Sequence, residues 1–233
     1  MMTTAAPVNA VVVEEHDDKG ALASRTEMLG GVLHGRMTSF GPTGKPALEA
    51  TYVHGKLHGS IRMYDESGTL VQDASYQAGH QQGLTRVFAG GRLLAEQMFA
   101  AGVLNGEAKF YEESGLVSCK MHFRNGQVEG EALYFNEGSL ARRAHYRKGL
   151  LEGEAIDYDR EGTKVQSAHY KANLLEGWLR RYWPNGQVME EMQYRQGKPQ
   201  GKARRYNAKG AKQDDDAPSA GLMERLEKLV RGT

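Results

Sequence analysis

Tyr146-Arg-Lys-Gly149-Leu-Leu-Glu-Gly153-Glu-Ala-Ile-Asp-Tyr158-Asp-Arg-Glu-Gly162-Thr-Lys-Val-Gln-Ser-Ala-His-Tyr170 is the stretch that decides how the chain folds. An aromatic residue is followed by Gly at +3 and +7, a second aromatic at +12, Gly at +16 and a new aromatic at +24. The leading position recurs as Met28, Tyr52, Tyr76, Phe99, Phe123, Tyr146, Tyr170 and Tyr194. The second aromatic recurs as Phe40, Tyr64, Phe88, Tyr111, Phe135, Tyr158, Tyr182 and Tyr206. The glycines keep step, with Asn173 replacing one of them, and Asn also tolerates positive φ. A fixed period of 24 residues, or 23 where a turn loses one, defines a repeat array whose stability is a sum over units and their neighbours.

Each unit reads as a β-hairpin. Glu154–Asp159 and Thr163–His169 both have strand length, and a polar turn ending in Gly162 separates them. The aromatic-x-x-Gly-x-x-x-Gly segment is expected to link one hairpin to the next. The predicted fold class is all-β: an elongated, twisted antiparallel sheet of eight tandem units, roughly 75–80 Å long at ~4.8 Å per strand. Residues 1–27 are expected to form a tail and a capping hairpin, and residues 28–212 the array. Residues 213–233 are expected to form a polar linker and a short C-terminal α-helix. Leu222, Leu226, Leu229 and Val230 share one stripe of that helix, which would cap the last hairpin or bind a partner.

Along the second strand of each unit the side chains alternate. Leu70, Ala74 and Tyr76, or Leu140, Ala144 and Tyr146, mark a packing face on which the aromatics are expected to form one column. Asp73, Glu96, Lys120, Arg143, Ser167 and Glu191 mark the opposite face.

Of 29 glycines, 24 sit in repeat slots, so the chain is not a flexible low-complexity sequence. The single cysteine, Cys119, allows no internal disulfide and fits a reducing compartment. No apolar run has the ~18 residues of a membrane span. The N-terminus has no basic segment before its short Val11-Val12-Val13 run, so it does not read as a signal peptide, and a cytoplasmic location is expected.

His122, His145 and His169 fill one slot in successive units, too far apart at ~10 Å to share a zinc ion. Cys119 falls on the apolar face and is expected to be packed. Asp157/Asp159 and Glu190/Glu191 have no fixed partner base, and no glycine loop opens a helix to hold phosphate. No catalytic residue, cofactor site or metal site is expected.

The net charge is +1, but residues 140–212 hold 16 Lys/Arg against 8 Asp/Glu. That excess is either a solvated face or a means of steering an acidic surface or nucleic acid. The face opposite the packing column changes its side chains in every unit, so a partner would be read there. Arg143, His145, Trp178, Arg180, Arg181 and Trp183 are the expected contact residues, since Trp and Arg are enriched at binding hot spots. Trp178 and Arg180 share a strand face with Tyr182, so burial is the competing expectation for these two.

The skeleton Tyr-x-x-Gly-x-x-x-Gly-x-x-x-x-Tyr-x-x-x-Gly, from about Met28 to Gly210, resembles the bacterial variant of the MORN repeat. The resemblance implies a sheet of successive hairpins. It also implies an antitoxin-like or immunity-like protein that binds a toxin enzyme, a nuclease most naturally, and blocks its active site. Eukaryotic MORN proteins are instead scaffolds, some lipid-associated, which makes a membrane-surface or assembly scaffold the alternative. The resemblance names no binding residues. Direct nucleic-acid binding and stable membrane association are not expected.

Overall fold

The computed structural model describes residues 10–213. They fall into two compact units, the described parts of Met1–Leu116 with Phe123–Gly126 and of Val117–His122 with Gln127–Thr233. In the first unit, Ala10–His16, Leu22–Leu29, Val32–Phe40, Pro46–Val53, Lys56–Tyr64, Leu70–Gln77, His80–Ala89, Arg92–Ala100 and Val103–Tyr111 each run antiparallel to the next. The N-terminal hairpin is present as Ala10–His16 against Leu22–Leu29. In the second unit, Gly130–Asn136, Ser139–Arg147, Gly153–Tyr158, Lys164–Lys171, Leu174–Tyr182, Val188–Arg195 and Arg204–Tyr206 follow the same rule. The described residues contain strands and turns only. The expected tail, the expected linker beyond Gln213 and the expected C-terminal helix fall outside the described residues.

Two kinds of turn make this meander. After each leading aromatic the chain reverses in two residues, both at positive φ, as at Lys148 (51°) and Gly149 (77°). That is the twist-matched hairpin turn. The expected linking segment is therefore itself a hairpin, and pairing resumes immediately: Tyr146 lies opposite Leu151 and Arg147 opposite Leu150. The other turn is longer. At Asp65–Gly68 the Gly68 amide donates to the Asp65 carbonyl (2.9 Å), and Asp65 Oδ1 accepts from the amides of Ser67 and Thr69 (both 2.9 Å). The Ser67 hydroxyl and these amides hold the Asp65 carboxyl below its ordinary range. Where the step shortens to 23, this turn becomes the two-residue kind, at Gly90-Gly91 and Glu137-Gly138.

Register sorts the side chains. Met37, Ala50, Ile61, Ala74, Thr85, Gln97 and Ala108 face one another in turn across seven strands. In the second unit Ala132 faces Ala144, and Ala155, Ala168, Leu179 and Met192 form a row. The alanines of these rows are buried and set the close packing of what we call the alanine face. The leading aromatics stand on this face, two residues along from the row, and Tyr134 and Tyr146 join hydroxyls there at 2.8 Å. Burial and that bond push the Tyr134 phenol well above its usual range. Cys119, opposite Tyr134, is buried as expected, and burial raises its thiol.

The expected single aromatic column is corrected. The second aromatics stand on the other face, as their hydrogen bonds show: Tyr64 to Glu49 (2.7 Å), Tyr111 to Glu96 (2.8 Å) and Tyr206 to Glu191 (3.0 Å), with Tyr182 and Ser167 hydroxyls 2.8 Å apart. The reason is parity. Tyr146 pairs with Leu151, and Tyr158 lies seven residues beyond Leu151, an odd step that reverses the face.

Candidate functional site

The face of the second aromatics carries a ladder of charge. In the first unit Glu49, Arg62, Asp73, Arg86, Glu96 and Lys109 stand opposite one another in that order, with sign alternating at every strand. Opposite charges at directly paired positions stabilise a sheet. Arg86 Nε meets Glu96 Oε1 at 3.1 Å, and Arg62 Nε lies 3.9 Å from Asp73 Oδ1. The Tyr111 hydroxyl, then Arg86, hold the Glu96 carboxyl below its ordinary range.

In the second unit the same row reads Lys120, Leu133, Arg143, Ile156, Ser167, Arg180, Glu191 and Arg204. Alternation survives only at its end. There Glu191 takes Arg180 Nε at 3.2 Å, Arg204 Nη1 at 3.7 Å and the Tyr206 hydroxyl at 3.0 Å. The two guanidiniums also lie 5.5 and 5.4 Å from the centre of the Trp178 ring, within cation–π range. A shallow cavity of about 340 Å³ opens beside this group, lined by Arg180, Tyr182, Gln187, Val188, Glu191, Tyr206 and Gly210.

A second polar row, on the alanine face, was not foreseen. Arg142 Nη1 meets Asp157 Oδ1 at 3.2 Å, and Gln166 donates to Asp157 Oδ2 at 3.1 Å. Further along, Glu190 takes Arg205 at 3.3 Å and Arg181 at 3.7 Å. Burial raises the Asp157 carboxyl, and Arg142 pulls it only part of the way back. Finding either row from sequence requires the strand register, because the paired charges lie 9 to 15 residues apart.

The expected contact residues divide. Arg143 and His145 are exposed on the ladder face, and Trp178 and Arg180 are half-buried on the same face. Arg181 lies on the alanine face, engaged with Glu190 and with Gln166 at 3.4 Å. The Trp183 indole donates to the Tyr206 carbonyl at 3.0 Å, a bond between neighbouring hairpin ends. His122, His145 and His169 are exposed, and a Cβ added at Gly153 would sit 3.8 Å from His145 Cβ. No group of three or more His, Cys, Asp and Glu is placed to hold a metal ion among the described residues.

This geometry defines a class, an antiparallel β-hairpin repeat protein with one small-residue face and one charged face. The repeat itself has a known counterpart. The family model described as MORN repeat variant matches residues 33–54, 57–78 and 175–196. No curated protein matches the chain. A chain of the solved structure described as "Crystal Structure of TcdB2-TccC3-Cdc42" is similar at 10% identity, with a TM-score of 0.18, over 84% of this chain. The match spans 14% of that solved chain.

Proposed function

We propose that the chain is a repeat scaffold that binds a toxin enzyme in the cytosol and blocks its active site, an immunity or antitoxin role. The Trp178–Arg180–Arg204 group on the ladder face carries the reading. Arg36, Ser60, Leu84, Glu107, Glu131, Glu154 and Lys202 fill the Trp178 slot in the other seven repeats, so the group is local, and Trp with Arg is the composition of a binding hot spot. A partner laid across several strands reaches a standard interface area of roughly 1,600 Å² without a deep pocket. A nuclease is the toxin class we favour. Co-expression with the products of neighbouring genes tests the role. One neighbour should be toxic alone and harmless with this chain; the role is refuted if none behaves so.

A scaffold at an anionic membrane surface is the second reading, favoured by the two-residue turns of the second unit. Arg147, Lys148, Lys171, Arg195 and Lys198 are exposed there, beside the exposed Leu150 and Leu174. Nearby carboxylates are turned inward: Glu129, Glu152 and Glu176 accept from the amides of Lys148, Ala172 and Gln196 at 2.7–2.9 Å. Basic residues near a membrane surface contribute about 1 kcal/mol each. Sedimentation with anionic liposomes at low salt checks it, and a chain that stays in the supernatant removes the reading.

A further inference from the structure

In the second unit the charge alternation fails from Lys120 to Ser167, and the failure has a definite chemistry. In the first unit every cation of the row faces an acid on a neighbouring strand. In the second unit Lys120 and Arg143 occupy the slots that hold acids in other repeats (Glu49, Asp73, Glu96 and Glu191), and they face Leu133 and Ile156, which fill slots that hold cations elsewhere (Arg62, Arg86, Lys109, Arg180 and Arg204). Lys120 and Arg143 are therefore left without carboxylates. Neither makes an ion pair among the described residues, and Lys120 instead lies 5.8 Å from the Phe135 ring centre. Arg143 is exposed, flanked by half-buried Leu133 and buried Ile156.

We propose that the strip Lys120–Leu133–Arg143–Ile156 is a docking surface for a carboxylate-rich segment of a protein partner, whose acidic side chains pair with the two unmatched cations from outside. The inference rests on the reading of the chain as a protein-binding scaffold and names the chemistry of what it binds. Charge complementarity identifies the occupant. A carboxylate set over Leu133 lies one strand, ~4.8 Å, from both Lys120 and Arg143. One set over Ile156 reaches Arg143 and the Ser167 hydroxyl. The apolar floor at Leu133 and Ile156 lowers the local dielectric and strengthens each pairing relative to a contact in open water. Side chains of Asp or Glu on an extended segment fit this spacing, because alternate residues of a strand project to one side.

The test uses the full chain and a fluorescein-labelled hexaglutamate peptide, read by fluorescence anisotropy at low ionic strength. Arg143→Gln should weaken peptide binding about tenfold, whereas Arg147→Gln, which removes the same charge at a turn, should change it less than about twofold. Leu133→Glu places an acid directly opposite both cations and should weaken binding at least as much as Arg143→Gln. Circular dichroism confirms its fold, and Arg143→Gln, at an exposed position, stands as the decisive variant if Leu133→Glu does not fold. Equal losses at Arg143 and Arg147 would mean diffuse attraction to a basic surface and overturn the proposal, as would the absence of saturable binding. A toxic neighbour whose affinity ignores Arg143→Gln overturns this surface and leaves the proposed function standing. Arg143-dependent peptide binding with no toxic neighbour does the reverse.

Discussion

Gly106→Ala and Gly115→Ala should differ in cost, because the two glycines serve different ends. Gly115 has φ 84°, and a Cβ built on it meets nothing within 4 Å. Its replacement carries only the backbone penalty of an L residue in that region, ~1–2 kcal/mol. The reduced freedom of the unfolded chain returns ~0.4–1 kcal/mol, so the net loss is about 1 kcal/mol. Gly106 has φ 119°, and its added Cβ would lie 2.8 Å from Met98 Cβ and 3.5 Å from Met98 Cγ. A Cβ cannot swing aside as the end of a side chain can, so the two strands must separate. Overpacking of that kind adds ~1–3 kcal/mol, for a total of ~2–4 kcal/mol.

Urea unfolding followed by far-ultraviolet circular dichroism measures both losses, since Trp178 and Trp183 lie in the other unit and do not report on this one. Adding Met98→Gly to Gly106→Ala should restore most of the difference, which a double-mutant cycle isolates. Losses at Gly106 and Gly115 that agree within about 0.5 kcal/mol would refute the reasoning, leaving close approach to Met98 without a role.

Three further outcomes are expected. Ala101 sits at φ 50° before Gly102, so Ala101→Asn, which recreates the Asn125-Gly126 turn, should raise stability by ~0.5–1 kcal/mol, seen as a higher urea midpoint. Arg142→Met leaves the Asp157 carboxylate buried without its cation and should cost ~1–3 kcal/mol at neutral pH. Because the folded-state carboxyl of Asp157 is raised, its ionised form opposes folding: the penalty is absent below the ordinary value of 3.8 and grows as pH rises through the raised one. The loss from Arg142→Met should therefore shrink on acidification toward pH 4, read from thermal unfolding at several pH values. Cys119, buried and with its thiol raised, should react with a thiol reagent only at the rate of unfolding, and fast reaction in the native state would contradict its packing.

The period, the hairpins and the turns were legible because glycine spacing reports backbone geometry directly. Asn173, read as a substitute for glycine, indeed lies at φ 69°. Which face each aromatic occupies was not legible from alternation along one strand. It depends on the pairing of Tyr146 with Leu151, a fact about the neighbouring strand. The paired charges were hidden for the same reason. Arg180 and Glu191 look like members of separate clusters until register sets them opposite each other. Of the expected contact residues, Arg143, His145, Trp178 and Arg180 share the ladder face, while Arg181 falls on the alanine face because Tyr182, expected in the packing column, stands on the ladder face.

The same period explains where the basic excess of the second unit goes. Its cations come in doublets, Arg142/Arg143, Arg180/Arg181 and Arg204/Arg205, and adjacent residues of a strand point to opposite faces. Each doublet therefore gives one guanidinium to the alanine face and one to the ladder face. On the alanine face all three are matched, Arg142 by Asp157, and Arg181 and Arg205 by Glu190. On the ladder face Arg180 and Arg204 share the single carboxylate of Glu191, and Arg143 has none. The sheet thus gives every guanidinium of these doublets a carboxylate partner on the side on which its small residues pack closely, and leaves Arg143 without one on the other. Folding requires the first of these, since an unpaired charge among closely packed side chains is costly. Nothing in folding requires the second, so a demand from outside the chain is the simpler reason for cations standing over Leu133 and Ile156.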